Sequence, residues 1–319
     1  TSYTIDGETF DLHDYIEAFC AEKGIMSQLI REKTVQDYNQ KCQIHWWLSL
    51  SFYVKSFRTP WILANSDNTT AFAGLGYSVD SKVDSNGHIV LGCSHIYSSS
   101  GEGLKFKLAR ISNDKIQWRH RKPHLCYDDA YEFGKNIIEL FYESMNELPK
   151  RVVIHKRTYF TEEEKQGIID SISDNNKIES IDLIEINFED NIKYTSSKIV
   201  EGKACVDGFS VSRGSCILLN SKEALLWAHG VVPSVRNPNF SFYPGGRYIP
   251  KPLRIIKHYG VGSLEQIANE ILGLTKMNWN SLNMYSQLPA TICSSNDIAR
   301  IGKLIDSNSK HEYDYRYFI

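Results

Sequence analysis

The sequence predicts an α/β protein in which helices and strands alternate through the middle of the chain, and three observations carry that reading. Residues 71–79 are a run of small and apolar residues, and 88–95, 104–111 and 116–119 follow as further strand-type segments, an antiparallel meander. Residues 128–146 place Ala130, Phe133, Ile137, Leu140, Phe141 and Met145 on one helical stripe and lead directly into an apolar strand at 151–155. Thr161 and Glu164 then have the spacing of a capping box, opening a helix through 171, with another strand at 181–186.

Ahead of this core, 11–22 reads as a helix stopped at Lys23-Gly24, 26–30 as a short strand, and 35–56 as a second helix. Trp46, Trp47, Leu50 and Val54 recur there at helical spacing, and the tryptophan pair is read as core. Thr59 precedes Pro60 and so resists helical backbone, which places a division between residues 1–60 and 61–319. Past Phe209, short strands are expected at 216–219, 224–228 and 252–257, with a glycine turn at Gly245-Gly246. Ser263 and Gln266 form a second capping-box pattern. Leu264, Ile267, Ala268, Ile271 and Leu272 then follow helical spacing, and 296–304 is the last expected helix.

With 319 residues and 42% hydrophobic content the chain can bury a large core. Its seven cysteines include no C-x-x-C pair, which excludes a disulfide framework or zinc module and suits a reducing cytoplasm. No apolar run approaches the roughly 20 residues of a membrane span. There is no G-x-S-x-G and no H-E-x-x-H, so serine-hydrolase and zinc-protease chemistry have no support. Gly260-Val-Gly262 imitates a dinucleotide fingerprint, but Glu265 takes the place of the third glycine. Cys93 and His95, at i and i+2, have no second ligand pair and are read as packing.

The formal net charge is only −2, yet cations are clustered. Between 105 and 122, Lys105, Lys107, Arg110, Lys115, Arg119, Arg121 and Lys122 face the single acid Asp114, with Phe106 and Trp118 interleaved. A second stretch, Arg247, Lys251, Arg254, Lys257 and His258, contains no acid. Cations with interleaved aromatics are what a phosphate-lined groove requires, so both stretches are candidate nucleic-acid surfaces. Acids gather instead at 162–190, read as a face turned away from nucleic acid.

Three blocks, at 72–78, 148–155 and 250–280, resemble the PIWI region of Argonaute proteins. The order of strand meander, helix, strand, helix, strand agrees with the RNase H-like fold of that region. The resemblance implies an RNase H-like PIWI domain at 61–319, preceded by the C-terminal part of a Rossmann-like MID domain at 1–60. In nuclease members the first two blocks carry metal-binding aspartates where this chain has Gly76 and Arg157. A guanidinium has only donors and stays charged, so Arg157 cannot ligate a metal, and the resemblance implies a chain without slicer activity. The rival reading is an active endonuclease with a shifted acid set, Asp80 with Asp182 or Glu185. Two-metal hydrolysis needs converging carboxylates, whereas Asp182 and Glu185 are an odd step apart on one strand and point to opposite faces.

Gly24-Ile-Met-Ser-Gln28 and Lys55-Ser-Phe-Arg-Thr-Pro-Trp61 resemble the MID elements that hold the 5′ phosphate of a guide strand. The resemblance implies that Gln28, Lys55 and the carboxylate of Ile319 bind that phosphate, with Mg2+ held by Ile319 and no catalytic metal. Glu17 departs from the pattern, lying near the register of the family's first-helix lysine. Lys105, Lys107, Arg119, Arg121, Arg254 and Lys276 are expected along the nucleic-acid backbone. The chain is most similar to short prokaryotic Argonautes. That implies a guide RNA (or DNA), a complementary single-stranded DNA target, and an APAZ-containing partner carrying a TIR or Sir2 NADase or a nuclease. It also implies higher oligomers on target binding and cytoplasmic defence against plasmids or phages, with no membrane. A starting Thr1 and an absent first half of MID suggest a piece of a longer chain. A third reading, a protein scaffold that has lost nucleic-acid binding, would be insensitive to charge reversal at Lys55, Arg119 and Arg121.

Overall fold

The computed structural model describes residues 2–5, 8–36, 41–64, 69–79, 88–93, 105–112, 116–119, 122–175, 177–194, 197–206, 211–232, 249–279, 285–302, 304–305 and 312–318. The chain opens with a hairpin of β1 (Ser2–Ile5) and β2 (Glu8–Asp11). Helices α1 (Leu12–Glu22), α2 (Glu32–Gln36) and α3 (Lys41–Lys55) follow. Asp11 starts α1 because its carboxylate accepts the His13 N–H at 2.9 Å, satisfying a donor that the first turn leaves unpaired. Lys23-Gly24 ends it, with Gly24 at φ +68°, a left-handed conformation costly for any side chain.

The body is a nine-stranded sheet. Strands β3 (Thr70–Val79), β4 (His88–Cys93) and β5 (Lys105–Ser112) form the expected antiparallel meander. Strands β6 (Gln117–Arg119) and β7 (Lys122–His124) make a separate hairpin before α4 (Tyr127–Met145). Strand β8 (Arg151–Lys156) returns parallel to β3, and after α5 (Glu162–Ser173) β9 (Ser180–Phe188) lies parallel to β8. Beyond them come the hairpin β10 (Ser197–Val200) with β11 (Lys203–Val206), then β12 (Cys216–Leu218), β13 (Glu223–Leu226) and β14 (Leu253–Tyr259). Helices α6 (Leu264–Leu274) and α7 (Ala290–Gly302), strand β15 (Tyr313–Asp314) and a 3-10 turn at Tyr315–Phe318 complete the described chain. The sheet order is β12-β13-β14-β9-β8-β3-β4-β5-β15.

Side chains alternate across the sheet, so each face has its own core. Ala71, Ala73, Leu75, Val152, Ile154 and Leu183 pack beneath α4 and α5. Phe72, Val153, Ile184 and Ile255 pack with α6 and α7, in a cluster that also takes in Leu50 and Val54 of α3.

Several expectations change. Residues 26–30 are irregular, because Met26–Ile30 find no strand to pair with. Within the helix expected at 35–56, helix is described through Gln36 and again from Lys41 to Lys55, with 37–40 outside the described residues, and Trp46 is 61% exposed because the buried face of α3 is centred between Leu50, Ser51, Val54 and Lys55. The Thr161–Glu164 capping box closes in both directions. At Ser263 only the hydroxyl half forms, since the Gln266 amide turns to Glu270 at 3.0 Å. The last helix starts at Ala290, earlier than expected, and the added residues set Thr291 beside His155 of β8 and the Ser295 backbone against Gly76 of β3.

Candidate nucleic-acid interface

Gly76 lies on β3 against the backbone of α7. A Cβ there would meet the Ser295 carbonyl carbon at 2.5 Å, its oxygen at 2.6 Å and Asn296 N at 2.8 Å, so this position has no room for a side chain of any kind. His155 shares that face of the sheet and is fully buried. Its Nδ1 lies 2.8 Å from Thr291 Oγ1 of α7, and its Nε2 has no hydrogen-bond partner among the described residues. Burial, with the nearby Arg151 charge, pushes the imidazole pKa down to about 3, so it is neutral. Arg157 stacks its guanidinium 5.3 Å from the Phe188 ring centre. A glycine, a neutral imidazole and an arginine therefore share the α7 side of these strands.

On the opposite face sits a buried polar network that periodicity did not reveal. Lys156 is fully enclosed, with Nζ donating to Glu164 Oε1 at 2.5 Å and to the Tyr159 carbonyl at 3.3 Å. Glu164 also accepts the N–H groups of Leu125 and Thr161, each at 2.9 Å, and its Oε2 lies 3.2 Å from His124 Nδ1. Burial alone would raise the Glu164 pKa, but these donors and the Lys156 charge hold it at about 2. The capping-box spacing located Glu164; a lysine at the end of an apolar strand was the only signal for its partner.

The rival acids are engaged elsewhere. Asp182 is buried and accepts Arg151 Nε at 2.7 Å and Gly262 N at 2.9 Å. Gly260 and Gly262 leave space for that carboxylate: a Cβ on Gly260 would lie 2.1 Å from Asp182 Oδ1. Glu185 takes Asn187 Nδ2 at 2.6 Å and lies 2.7 Å from His258 Nε2. Asp80 lies outside the described residues.

In the N-terminal unit the structure brings Gln28 and Lys55 together. Lys55 is 8% exposed, and its Nζ donates to Gln28 Oε1 at 2.9 Å and to the Ser27 carbonyl. Ser51 on α3 also bonds Gln28 Oε1. Burial lowers the Lys55 pKa, with Glu17 opposing the shift. The Tyr315–Phe318 turn packs against both α1 and α3, so the far end of the chain reaches this pocket; Ile319 itself lies outside the described residues. Beside it an open cleft of ≈ 460 Å³ is lined by His13, Ile16, Leu29, Ile30, Arg31 and Trp47, among others.

Comparison with solved structures returns this arrangement almost end to end. The Clostridium butyricum Argonaute, in a structure with a guide DNA and a 19-mer target DNA, matches 99% of the chain with a TM-score of 0.71 at 19% identity. An A. aeolicus Argonaute matches 97% at 0.63 and 20%, and an Aa-Ago structure with externally bound siRNA matches 99% at 0.62 and 19%. The chain has an Argonaute MID-PIWI fold. It spans about two fifths of these neighbours, 38%, 39% and 40% of their respective lengths. No family model and no curated protein matches the chain.

Within this MID-PIWI fold the two basic stretches differ. In the first, Arg119, Lys122 and Trp118 are exposed on the β6–β7 hairpin. Lys105 and Lys107 lie on β5, with Lys105 opposite Asp314, next to the turn that packs on α1 and α3. The side chains of Lys105, Lys107 and Arg110, and the whole of Arg121 and Arg247, lie outside what is described. The second stretch does not supply the free cations expected of it. Arg254 donates to Glu223 at 2.8 Å and Glu189 at 3.3 Å, Lys251 pairs with Asp190, Lys257 donates to the Gly262 carbonyl at 2.8 Å, and His258 faces Glu185. These acids sit on β9, β13 or just past β9, and strand pairing brings them alongside β14. Lys276 is exposed, its carbonyl accepting Trp61 Nε1 at 2.7 Å.

The Mg2+ implied at the MID pocket would be held by the Ile319 carboxylate, which lies outside the described residues; among those described, His13, Asp14 and Glu17 bring their ligand atoms within 4.8 Å of one another, an arrangement that could hold a cation. Gln28 Oε1 and the Ser27 carbonyl, by contrast, already receive the Lys55 ammonium. A second cation there would stand against a fixed positive charge.

Proposed function

We propose that this chain holds a short guide strand, captures a complementary nucleic acid and does not cut it. The likeness to Argonautes, one of them bound to guide and target DNA, supports the guide reading. The observation that carries the silent-nuclease reading is the backbone of α7 lying where a Gly76 side chain would stand. A carboxylate at that position would need the helix to move. The neutral His155 and the Arg157 guanidinium beside it supply no metal ligand set of the kind a two-metal displacement needs.

In this reading the guide's 5′ end enters the pocket of Gln28 and Lys55, and its backbone runs past Lys105, Lys107 and Arg119, with Lys276 as a further phosphate contact. Guide pairing reads the target sequence, while protein side chains read backbone and A-form shape. Target capture is signalled to an APAZ-containing partner carrying a TIR, Sir2 or nuclease effector, with assembly into higher oligomers, in cytoplasmic defence against plasmids or phages. The test is incubation of purified protein with guide and labelled complementary target in Mg2+ or Mn2+. Guide-dependent capture of intact target is expected; cleavage that is lost on substituting Asp80 would overturn the reading.

A further inference from the structure

The central sheet ends differently at its two edges. At one, β15 is two residues long, with Tyr313 4% exposed and Asp314 accepting the Arg316 guanidinium at 3.0 Å, a short and charged edge of the kind that resists further pairing. At the other, β12 pairs with β13 alone among the described strands, and Cys216, Ile217 and Leu218 are all exposed. The run from Ser215 to Leu219 holds neither a charge nor a proline. Open apolar edges of this type are templates for another strand. We infer that β12 pairs antiparallel with β12 of a second copy of this chain, about a two-fold axis at Ile217, joining two sheets into one.

The backbone hydrogen bonds fix this register. Trp227 N–H donates to the Ser215 carbonyl and Leu219 N–H to the Glu223 carbonyl, each at 2.9 Å, and Ile217 lies opposite Leu225 between them. Bonded pairs alternate with unbonded ones in an antiparallel ladder, so the peptide groups of Ile217 face β13 while the N–H and C=O of Cys216 and Leu218 point out from the edge. Turned through a half rotation about Ile217, a second β12 sets its Leu218 opposite Cys216 and its Cys216 opposite Leu218, and every outward N–H meets an outward carbonyl. The two Ile217 side chains, each 43% exposed in the single chain, form the close unbonded pair at the axis.

Side chains and charges agree with the pairing. On the α6 side of the sheet, Cys216 and Leu218 form one wall of an open cleft of ≈ 330 Å³ whose other wall includes Ala268 and Leu272. The second copy adds its Leu218 and Cys216 to the same face and lengthens that apolar strip. Glu265 lines the cleft beside Cys216, and Lys222 sits in the turn that follows Leu219, so antiparallel apposition brings the acidic end of each copy beside the basic end of the other. The paired strands are three residues long, which places the dimer in the weak, reversible class, with a dissociation constant of about 10 to 100 µM.

The test is analytical ultracentrifugation of the purified chain without nucleic acid. Between about 1 and 200 µM the mass should rise reversibly from one copy toward two. Leu218→Pro removes an outward N–H that β13 does not use, so the protein keeps its fold while the dissociation constant of the dimer rises at least about tenfold. Ile217→Lys and Ile217→Glu each set like charges against each other at the axis, so each alone is monomeric, whereas a mixture of the two associates. A chain that stays monomeric throughout overturns the inference and leaves the edge to a strand from another protein. A dimer that these substitutions leave unchanged overturns it too, because it uses another face. Neither result bears on the guide reading, since no nucleic acid is present.

Discussion

Two lysines are buried among the described residues, and their surroundings differ in a way that separates architecture from binding. Lys156 is enclosed by a carboxylate, a carbonyl and an imidazole, and its partner Glu164 is itself filled by backbone donors. Lys55 is nearly as buried, yet its direct partners are neutral oxygens, and the nearby Glu17 receives no hydrogen bond from it. A buried ion pair whose lone pairs and protons are all taken holds structure together and has nothing left to offer a ligand. A buried cation with neutral partners keeps its charge available at the edge of a pocket.

The largest expected effect tests the first half of that contrast. Lys156→Met leaves Glu164 buried without its counter-charge and should cost about 3–5 kcal/mol in chemical denaturation. Adding Glu164→Gln should recover part of it. If Lys156→Met is neutral, the network is not holding the fold.

Acid should act through the same residues. Glu164 has its folded pKa depressed to about 2, so its contribution is full above the ordinary value of 4.5 and is lost as pH falls from there. His155, depressed to about 3 from 6.5, stays neutral in the fold while the unfolded chain takes up a proton, so stability already declines below pH 6.5. Thermal melts from pH 7 to 3 should show this loss in two stages, and His155→Leu should remove the upper one.

Lys55→Ala should leave a folded protein whose guide affinity falls by about tenfold or more, measured by equilibrium binding. A fall in stability as large as that of Lys156→Met would break the contrast. The smallest effects concern the two basic stretches. Arg119→Ala should lower the salt slope of nucleic-acid binding by about 1, as loss of one phosphate contact does. Arg254→Ala should leave the slope unchanged and cost no more than about 1 kcal/mol, because its partners are protein carboxylates at a half-exposed site.

Much of the fold was legible. The stripe at Phe133, Ile137 and Phe141 became α4, the apolar run at Val152–Ile154 became a central parallel strand, and Thr161 with Glu164 opened α5 as spacing suggested. Local pattern carries such information because helix and strand periods act within a few residues. Charge is different. The stretch from Lys251 to His258 has no acid of its own, but the acids that neutralise it are brought in by β9 and β13.

The sequence by itself determined the alternation of helices and strands, the presence of Gly76 and Arg157 where the resemblance leads one to expect carboxylates, and that of Gln28 and Lys55 near the start. Tertiary structure alone decided that α7 lies on Gly76, that Glu17 faces Lys55, that Lys156 is enclosed, and that Arg254 is already paired. The physical reason is range: periodicity and capping are short-range properties of the chain, whereas steric closure and charge pairing depend on groups that only folding brings together.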